Sequence, residues 1–359
     1  MTRADGAGAW IAMHIFYAAD ARPVLTECLR PLVRDLRERG LLDRFFFINY
    51  WLEGQHVRFR VKPRSPELEQ EVRERMESAV SAYLKRRPAL YDYDSEFLLS
   101  MYEDMFRLEY SEQERIERYG QDGPMPLREN NTFAFLPYEP EYAKYGGPKG
   151  IELAEWHFER SSDLVLDLLN RTNTHLRTAL LGLCSQLMMV MGTTFLPDRK
   201  DLGAFLSNYH EYWQHAFQIA GLATVEKYEE NFAQMSERLS QRFHDIEAGV
   251  HGTDGSNLSS FVRDWAEHCA ELRDRVVDLS AKGDLLFPSW DPERMRLSGK
   301  VGEFRPVTDP DAALKVLLSP YMHMTNNRLG ATIVDEAYLA YLLARVTGGR
   351  PARPTEPAS

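Results

Sequence analysis

Cysteine is scarce in this 359-residue chain: Cys28, Cys184 and Cys269 lie far apart, and no two of them form a CxxC spacing. That excludes a disulfide framework and a cysteine-based zinc site, and it fits buried thiols in a reducing cytoplasm, where we expect the protein to work. Positive charge is in deficit too. With 43 Lys plus Arg against 54 Asp plus Glu the formal net charge is −11, which excludes a general affinity for the phosphate backbone of nucleic acid. Long apolar runs are missing as well. The longest, LLGLCSQLMMVMGTTFL after Ala179, is broken by Ser185 and Gln186 and is too short and mixed for a bilayer span, so it reads as a buried core helix and no membrane association is expected. The apolar stretch WIAMHIFYAA contains His14 and follows MTRADGAGA, which lacks the basic cluster of a secretory signal. No fixed period repeats, so a solenoid is excluded. What remains is ordinary globular composition, 44% hydrophobic and 27% charged, with enough length to bury a core.

The first half has a legible order. Residues 10–18 read as a strand, and 23–39 as a helix ended by Gly40 with a kink or break at Pro31. A hairpin follows, with arms 44–51 and 56–62 joined by Leu52-Glu53-Gly54-Gln55. Ser65 as N-cap and Pro66 as first helical residue open a helix in which Leu68, Val72, Met76, Val80 and Leu84 recur every four residues until Pro88. A fourth strand is expected over 131–138, after a tyrosine- and acid-rich segment at 89–130. This order, βαββαβ, is that of a ferredoxin-like antiparallel sheet with 89–130 inserted before its last strand. From 150 to 346 the pattern is almost wholly helical, which makes the chain α+β: one domain over 1–346, with an α/β half at 10–145, and a tail at 347–359 of disordered composition.

The sharpest chemical feature is HVRFRVK. In a strand Val57, Phe59 and Val61 point one way, and His56, Arg58, Arg60 and Lys62 the other. The bland reading is the solvated face of a half-buried strand. The functional reading is an anion site, because arginine forks on a rigid strand can clamp a carboxylate or stabilise a developing oxyanion, with Lys62 nearer the strand end reaching solvent. YEPEYAKYGGPKG, at 138–150, reads as a glycine-capped turn and matches no phosphate-loop or dinucleotide fingerprint. SPYMHMTNNRLG, at 319–330, reads as a polar irregular segment in which His323 is either a structural hydrogen-bonder or the best general acid/base candidate in the chain. His210 and His215 in HEYWQH are spaced i,i+5, which suits no shared metal, so no metal is assigned.

These motifs together resemble a known family, the C-terminal glutamate-elimination domain of lantibiotic dehydratases, also found as stand-alone proteins in thiopeptide pathways. The resemblance runs in order through the opening W-x-x-x-H-I-F-Y, FFFINYWLEGQHVRFR, YEPEYAKYGGPKGIELAEWHF, SSDLVLDLL and HMTNNRLG. It implies a lyase without metal or cofactor that removes glutamate from glutamylated Ser or Thr of a precursor peptide, leaving dehydroalanine or dehydrobutyrine. The family's functional residues fall on Arg58, Arg60 and His323, with His56, Glu141, Lys144, Asn327 and Arg328 as substrate-binding candidates. The site is expected to lie between the hairpin strand and the 319–330 segment. Two departures stand out: Lys144 where the family has arginine in E-R-Y-G-G, and Asn49 where F-F-I-R-Y is common. Lysine keeps the charge but loses the planar fork. The 89–130 insertion is also longer than usual for the family, which makes it a lid, a peptide-docking element or a surface embellishment.

The same scaffold serves thiopeptide pyridine synthases, which join two dehydroalanines by a formal [4+2] cycloaddition and release the leader peptide. A non-catalytic peptide-binding subunit is the third reading. The chain has too little sequence for a glutamylating module, so a separate glutamyl-tRNA-dependent partner is expected, with no direct contact to nucleic acid; a homodimer is compatible with this reading.

Overall fold

The computed structural model describes residues 8–90, 102–103, 105–106, 110, 112–121, 123, 125–216, 225–252, 255–288 and 303–349. Its contacts divide the chain into two compact units: residues 1–140 with 155–171 and 290–302, and residues 141–154 with 172–289 and 303–359.

The first unit is built on a four-stranded sheet in the order β2-β3-β1-β4, every neighbouring pair antiparallel. The strands are β1 (Ile11–Phe16), β2 (Leu42–Tyr50), β3 (His56–Pro63) and β4 (Thr132–Phe135). Cross-strand partners share a face, so the register Met13↔Phe59↔Phe47 and Ile15↔Val57 gathers one side that is apolar but for Asn49, opposite Val57. Ile11, Met13, Phe45, Phe47, Phe59 and Val61 there are 0% exposed. Helices α1 (Arg30–Glu38) and α2 (Glu69–Arg86) cover this side, as the contacts of Arg37 with the Phe45 ring and of Arg73 with the Phe135 ring locate them. Of the four-residue apolar recurrence, Val72, Met76, Val80 and Leu84 form the buried face of α2, the first three 0% exposed, while Leu68 lies half-buried in the turn before the helix.

Several local expectations need correction. The helix with Pro31 does not break there; a π-helical stretch, Val24–Leu29, precedes it and α1 starts one residue before the proline. The wider turn leaves room for a ring that would crowd the carbonyl four residues back and needs no N–H donor from it. Ser65 makes no side-chain cap; its carbonyl instead accepts from the Leu68 N–H in a 3-10 turn, Pro66–Leu68. The hairpin connection takes in Trp51 as well, since the last pair is Tyr50↔His56.

The second unit is mostly helical. The apolar run forms α6 (Arg177–Phe195), preceded in the chain by α3 (Glu112–Tyr119), which belongs to the inserted segment of the first unit, by α4 (Tyr142–Tyr145), and by α5 (Gly147–Arg171), whose residues from Glu155 on belong to the first unit. By length and hydropathy α6 would suit a membrane, yet 72% of its apolar window is buried in the fold, among α8 (Val225–Val250), α9 (Ser260–Ala281) and α10 (Pro310–Leu329). It is a core helix, as its Ser185 and Gln186 interruptions suggested. α11 (Ile333–Val346) packs on α7 (Arg199–Ala216).

The 319–330 stretch is not irregular: it forms the last turns of α10, which runs through Pro320 and stops at Gly330 in the left-handed region with φ 85°. Val316, whose carbonyl loses its donor to the proline, is 47% exposed. A two-stranded ribbon, β5 (Leu286–Pro288) with β6 (Phe304–Pro306), also went unread because three-residue strands carry no period. Of the expected tail, Thr347 caps α11 and residues 350–359 lie outside the described residues.

Candidate functional site

The register carries Ala12, His14, Phe46, Ile48 and Tyr50 to the same face as His56, Arg58, Arg60 and Lys62. That face is not a solvated one. His56 is 3% exposed, Arg60 7% and His14 7%, so the bland reading of the alternation fails. The physical reason lies in aromatic neighbours that the strand alone does not reveal. The Arg60 guanidinium sits 4.6 Å from the centroid of the Tyr138 ring and 5.1 Å from that of Phe46. Trp10 closes on the same rings edge-on, at 5.0 Å from Phe46 and 5.8 Å from Tyr138. Glu155, on α5, accepts hydrogen bonds from the Tyr138 and Trp10 side chains, and burial still holds its carboxyl above the usual range. Arg58 lies 3.5 Å over the Tyr50 ring, and its Nε–H donates to His56 Nε2 at 3.3 Å. Rings of this kind offset the cost of burying a cation by roughly 0.5–2 kcal/mol each. Among the described residues no carboxylate forms an ion pair with the Arg58 guanidinium. Lys62, half-buried, is 3.9 Å from Asp43, and Asn49 stands opposite Val57 on the other face of the sheet.

His56 is locked in one tautomer. Its Nδ1 is 2.7 Å from the Gly54 carbonyl, which can only accept, so Nδ1 carries the proton and Nε2 is free to accept from Arg58. His14 stacks on it at 4.9 Å. Burial, reinforced by the Arg58 charge, pushes the His56 imidazole down to about 3 and that of His14 down to about 2. Both are neutral in the fold. An unfolded chain, whose histidines titrate near 6.5, takes up protons that the fold refuses, so their contribution is full above pH ~6.5 and falls away toward pH ~3. Each adds a slope of about 1.4 kcal/mol per pH unit in that window. Denaturant titrations from pH 7 to pH 5 therefore show stability falling, with the slope reduced by one proton in His14→Gln; an unchanged slope would mean that His14 is charged in the fold.

In the second unit His323 projects from α10, with a quarter of its side chain exposed, and is directed by a residue the sequence reading missed. Its Nδ1 donates to Glu336 Oε1 at 2.9 Å, so Nε2 is left to exchange a proton. Glu336 is 0% exposed, accepts from the Tyr209 hydroxyl through its other oxygen, and occupies the first turn of α11, where the helix dipole favours negative charge. The Trp213 ring lies 4.8 Å from the imidazole. The one sequence signal was local: Thr332 and Asp335 form a capping box that starts α11 and fixes where Glu336 falls.

The remaining candidates are placed as follows. Lys144 and Glu141 come together as an ion pair at 3.3 Å. The glycine turn after them is required: Gly146 has φ 88°, and a Cβ there would stand 3.0 Å from Phe287. The Asn327 carbonyl accepts from the Gly330 N–H, and Arg328 is fully buried with Nη1 donating to the Met324 carbonyl at 2.8 Å. His210 is buried with Nδ1 donating to the Ala337 carbonyl at 2.8 Å, a core role. His56, Arg58 and Arg60 thus gather in the first unit, while Glu141, Lys144, His323, Asn327 and Arg328 belong to the second.

Comparison with known proteins gives three results. The family model described as "Lantibiotic biosynthesis dehydratase C-term" matches residues 10–347. No curated protein matches the chain. Among solved structures, the pyridine synthase TbtD from thiomuracin biosynthesis is 18% identical, with a TM-score of 0.68 over 94% of this chain and 97% of its own. TsrL is 17% identical, with a TM-score of 0.63 over 94% of each chain. The tRNA dependent lantibiotic dehydratase MibB from Microbispora sp. 107891 is 18% identical, at a TM-score of 0.49 over 97% of this chain and 28% of its own. At these identities TbtD and TsrL share the fold.

Proposed function

Because the chain belongs to the lantibiotic dehydratase C-terminal family, whose enzymes modify ribosomally made precursor peptides, we propose that it eliminates glutamate from glutamylated Ser or Thr of such a peptide. The observation that carries this reading is Arg58, a half-buried guanidinium seated on Tyr50 with no carboxylate partner among the described residues. Such a group is built for an anion that arrives with substrate.

In the reaction the α-proton of the esterified serine is removed, its electron pair forms the Cα=Cβ bond, and the Cβ–O bond breaks. Glutamate leaves as its carboxylate and the peptide is left with dehydroalanine. Arg58 and Arg60 stabilise the enolate-like charge and the glutamyl carboxylate, and His323 takes up or delivers the proton through Nε2. Lys144, with Glu141, Asn327 and Arg328, completes the substrate-binding set carried by the resemblance. A separate glutamyl-tRNA-dependent enzyme supplies the ester. The fold reading that goes with this is ferredoxin-like, supported by β3 lying between β1 and β2 in an all-antiparallel order.

One observation favours a second reading, a pyridine synthase: TbtD corresponds to this chain along almost its whole length. Mass spectrometry of two synthetic peptides separates them. The proposal expects a glutamyl-serine peptide to lose glutamate and a bis-dehydroalanine peptide to stay linear; cyclisation of the second with the first unchanged would establish the synthase.

A further inference from the structure

The inserted segment before β4 packs its aromatic side chains on the tip of the hairpin that carries Arg58. Leu52, Tyr102, Phe106 and Met125, each 4–5% exposed, form a small core of their own, with Tyr50, Trp51, Tyr110 and Tyr119 against it. Two routes lead from this core to the Arg58 guanidinium.

The first reaches its face. The Tyr110 hydroxyl is 2.5 Å from that of Tyr50, whose ring lies under the guanidinium, and Tyr110 is itself stacked on Phe106 at 4.6 Å. Trp51 adds a second tie, between Tyr50 at 6.0 Å and Tyr102 at 5.6 Å.

The second reaches its edge. Glu53 at the hairpin tip has φ 62°, a left-handed conformation that a non-glycine residue holds only when its surroundings fix it. Residues of the insertion do so: Arg128 Nε and the Tyr119 hydroxyl donate to the Glu53 carboxylate at 2.7 and 3.2 Å, and the Arg128 backbone N–H donates to the Glu53 carbonyl at 2.8 Å. The next residue, Gly54, with φ 116°, presents the carbonyl that sets the His56 tautomer, and His56 Nε2 accepts from Arg58 Nε.

We propose that the inserted segment is a positioning device for Arg58: it fixes the ring beneath the guanidinium through Tyr110 and the imidazole beside it through the Glu53–Gly54 turn, so that the two Nη groups face the incoming anion in one orientation. An arginine side chain is rotamer-rich, and ordering it before substrate arrives removes that cost from binding. Tyr50, His56 and Tyr110 are positioning residues in this account, and their effect on turnover rests on the elimination reading, whereas their effect on the arginine does not.

The test uses the full chain and the variant Tyr110→Phe, which deletes one hydroxyl and keeps the ring; Tyr50→Phe deletes the same bond from the other side should the first variant melt early. In a nitrogen–proton spectrum of arginine Nε groups, the Arg58 signal, identified by its loss in Arg58→Lys, is displaced by the Tyr50 ring current and slow to exchange in the wild type. Tyr110→Phe moves it toward the position of a free arginine and speeds its exchange. On a glutamyl-serine peptide the same variant raises KM by about three- to tenfold in the wild-type background and leaves it unchanged in the Arg58→Lys background. An Arg58 signal unmoved in both hydroxyl deletions would overturn the proposal, as would a KM effect of equal size in the two backgrounds, which marks general packing. If the wild type releases no glutamate, the elimination reading fails and the spectrum alone decides the positioning.

Discussion

Replacing His323 with alanine lowers kcat for glutamate loss by about 10²- to 10⁴-fold, the range associated with removing a positioned acid/base group. The geometry gives the reason. A helix-borne imidazole that donates from Nδ1 to Glu336, which is 0% exposed, has its second nitrogen held in place and ready for a proton. Glu336→Gln separates orientation from charge. With the amide oxygen kept by the Tyr209 hydroxyl, the amide NH2 faces His323 Nδ1 and donates where the carboxylate accepted, which turns the imidazole to its other tautomer and leaves Nε2 protonated. The expected loss is also large, up to about 10⁴-fold by analogy with the buried acid behind the serine-protease histidine. Single-turnover release of glutamate measures the effect; His323→Ala within threefold of the wild type would return His323 to the structural role that was its bland reading.

Arg58→Lys lowers kcat/KM by about 10²- to 10³-fold, the scale for losing one oriented donor at a developing oxyanion. Charge is conserved in this substitution, so the loss measures geometry. Lysine has no Nε–H for His56, no plane to lie on the Tyr50 ring 3.5 Å away, and an ammonium that is strongly hydrated. Arg60→Lys falls in the same range and also lowers stability, because Arg60 is 7% exposed and closed in by Tyr138 and Phe46. Steady-state kinetics on a glutamyl-serine peptide decide the matter. Full activity in Arg58→Lys would mean that a point charge suffices and that the stacking is ornamental.

The strands and the alternation of HVRFRVK were legible because a period of two is written in the residues themselves. What that face touches was not, since Tyr138, Trp10 and Glu155 come from other parts of the chain and His14 and Tyr50 join it through a register the sequence does not state. The same limit hid Glu336, thirteen positions from His323 and on another helix. The 319–330 stretch was misread for a different reason: Pro320, Asn326, Asn327 and Gly330 are all poor helix residues. Burial overrode their propensity. Leu317, Leu318 and Tyr321 are 0% exposed, and Asp309 caps the start of α10 by accepting from the Asp311 N–H. The insertion was open to three readings because its aromatic residues give no hint that they meet the hairpin tip.

The most direct test of the account is the product ratio from a glutamyl-serine peptide incubated with the wild-type chain. Elimination by Arg58, Arg60 and His323 predicts dehydroalanine and free glutamate in equal amounts. Free glutamate with serine regenerated, which is hydrolysis, or an ester left intact would contradict it.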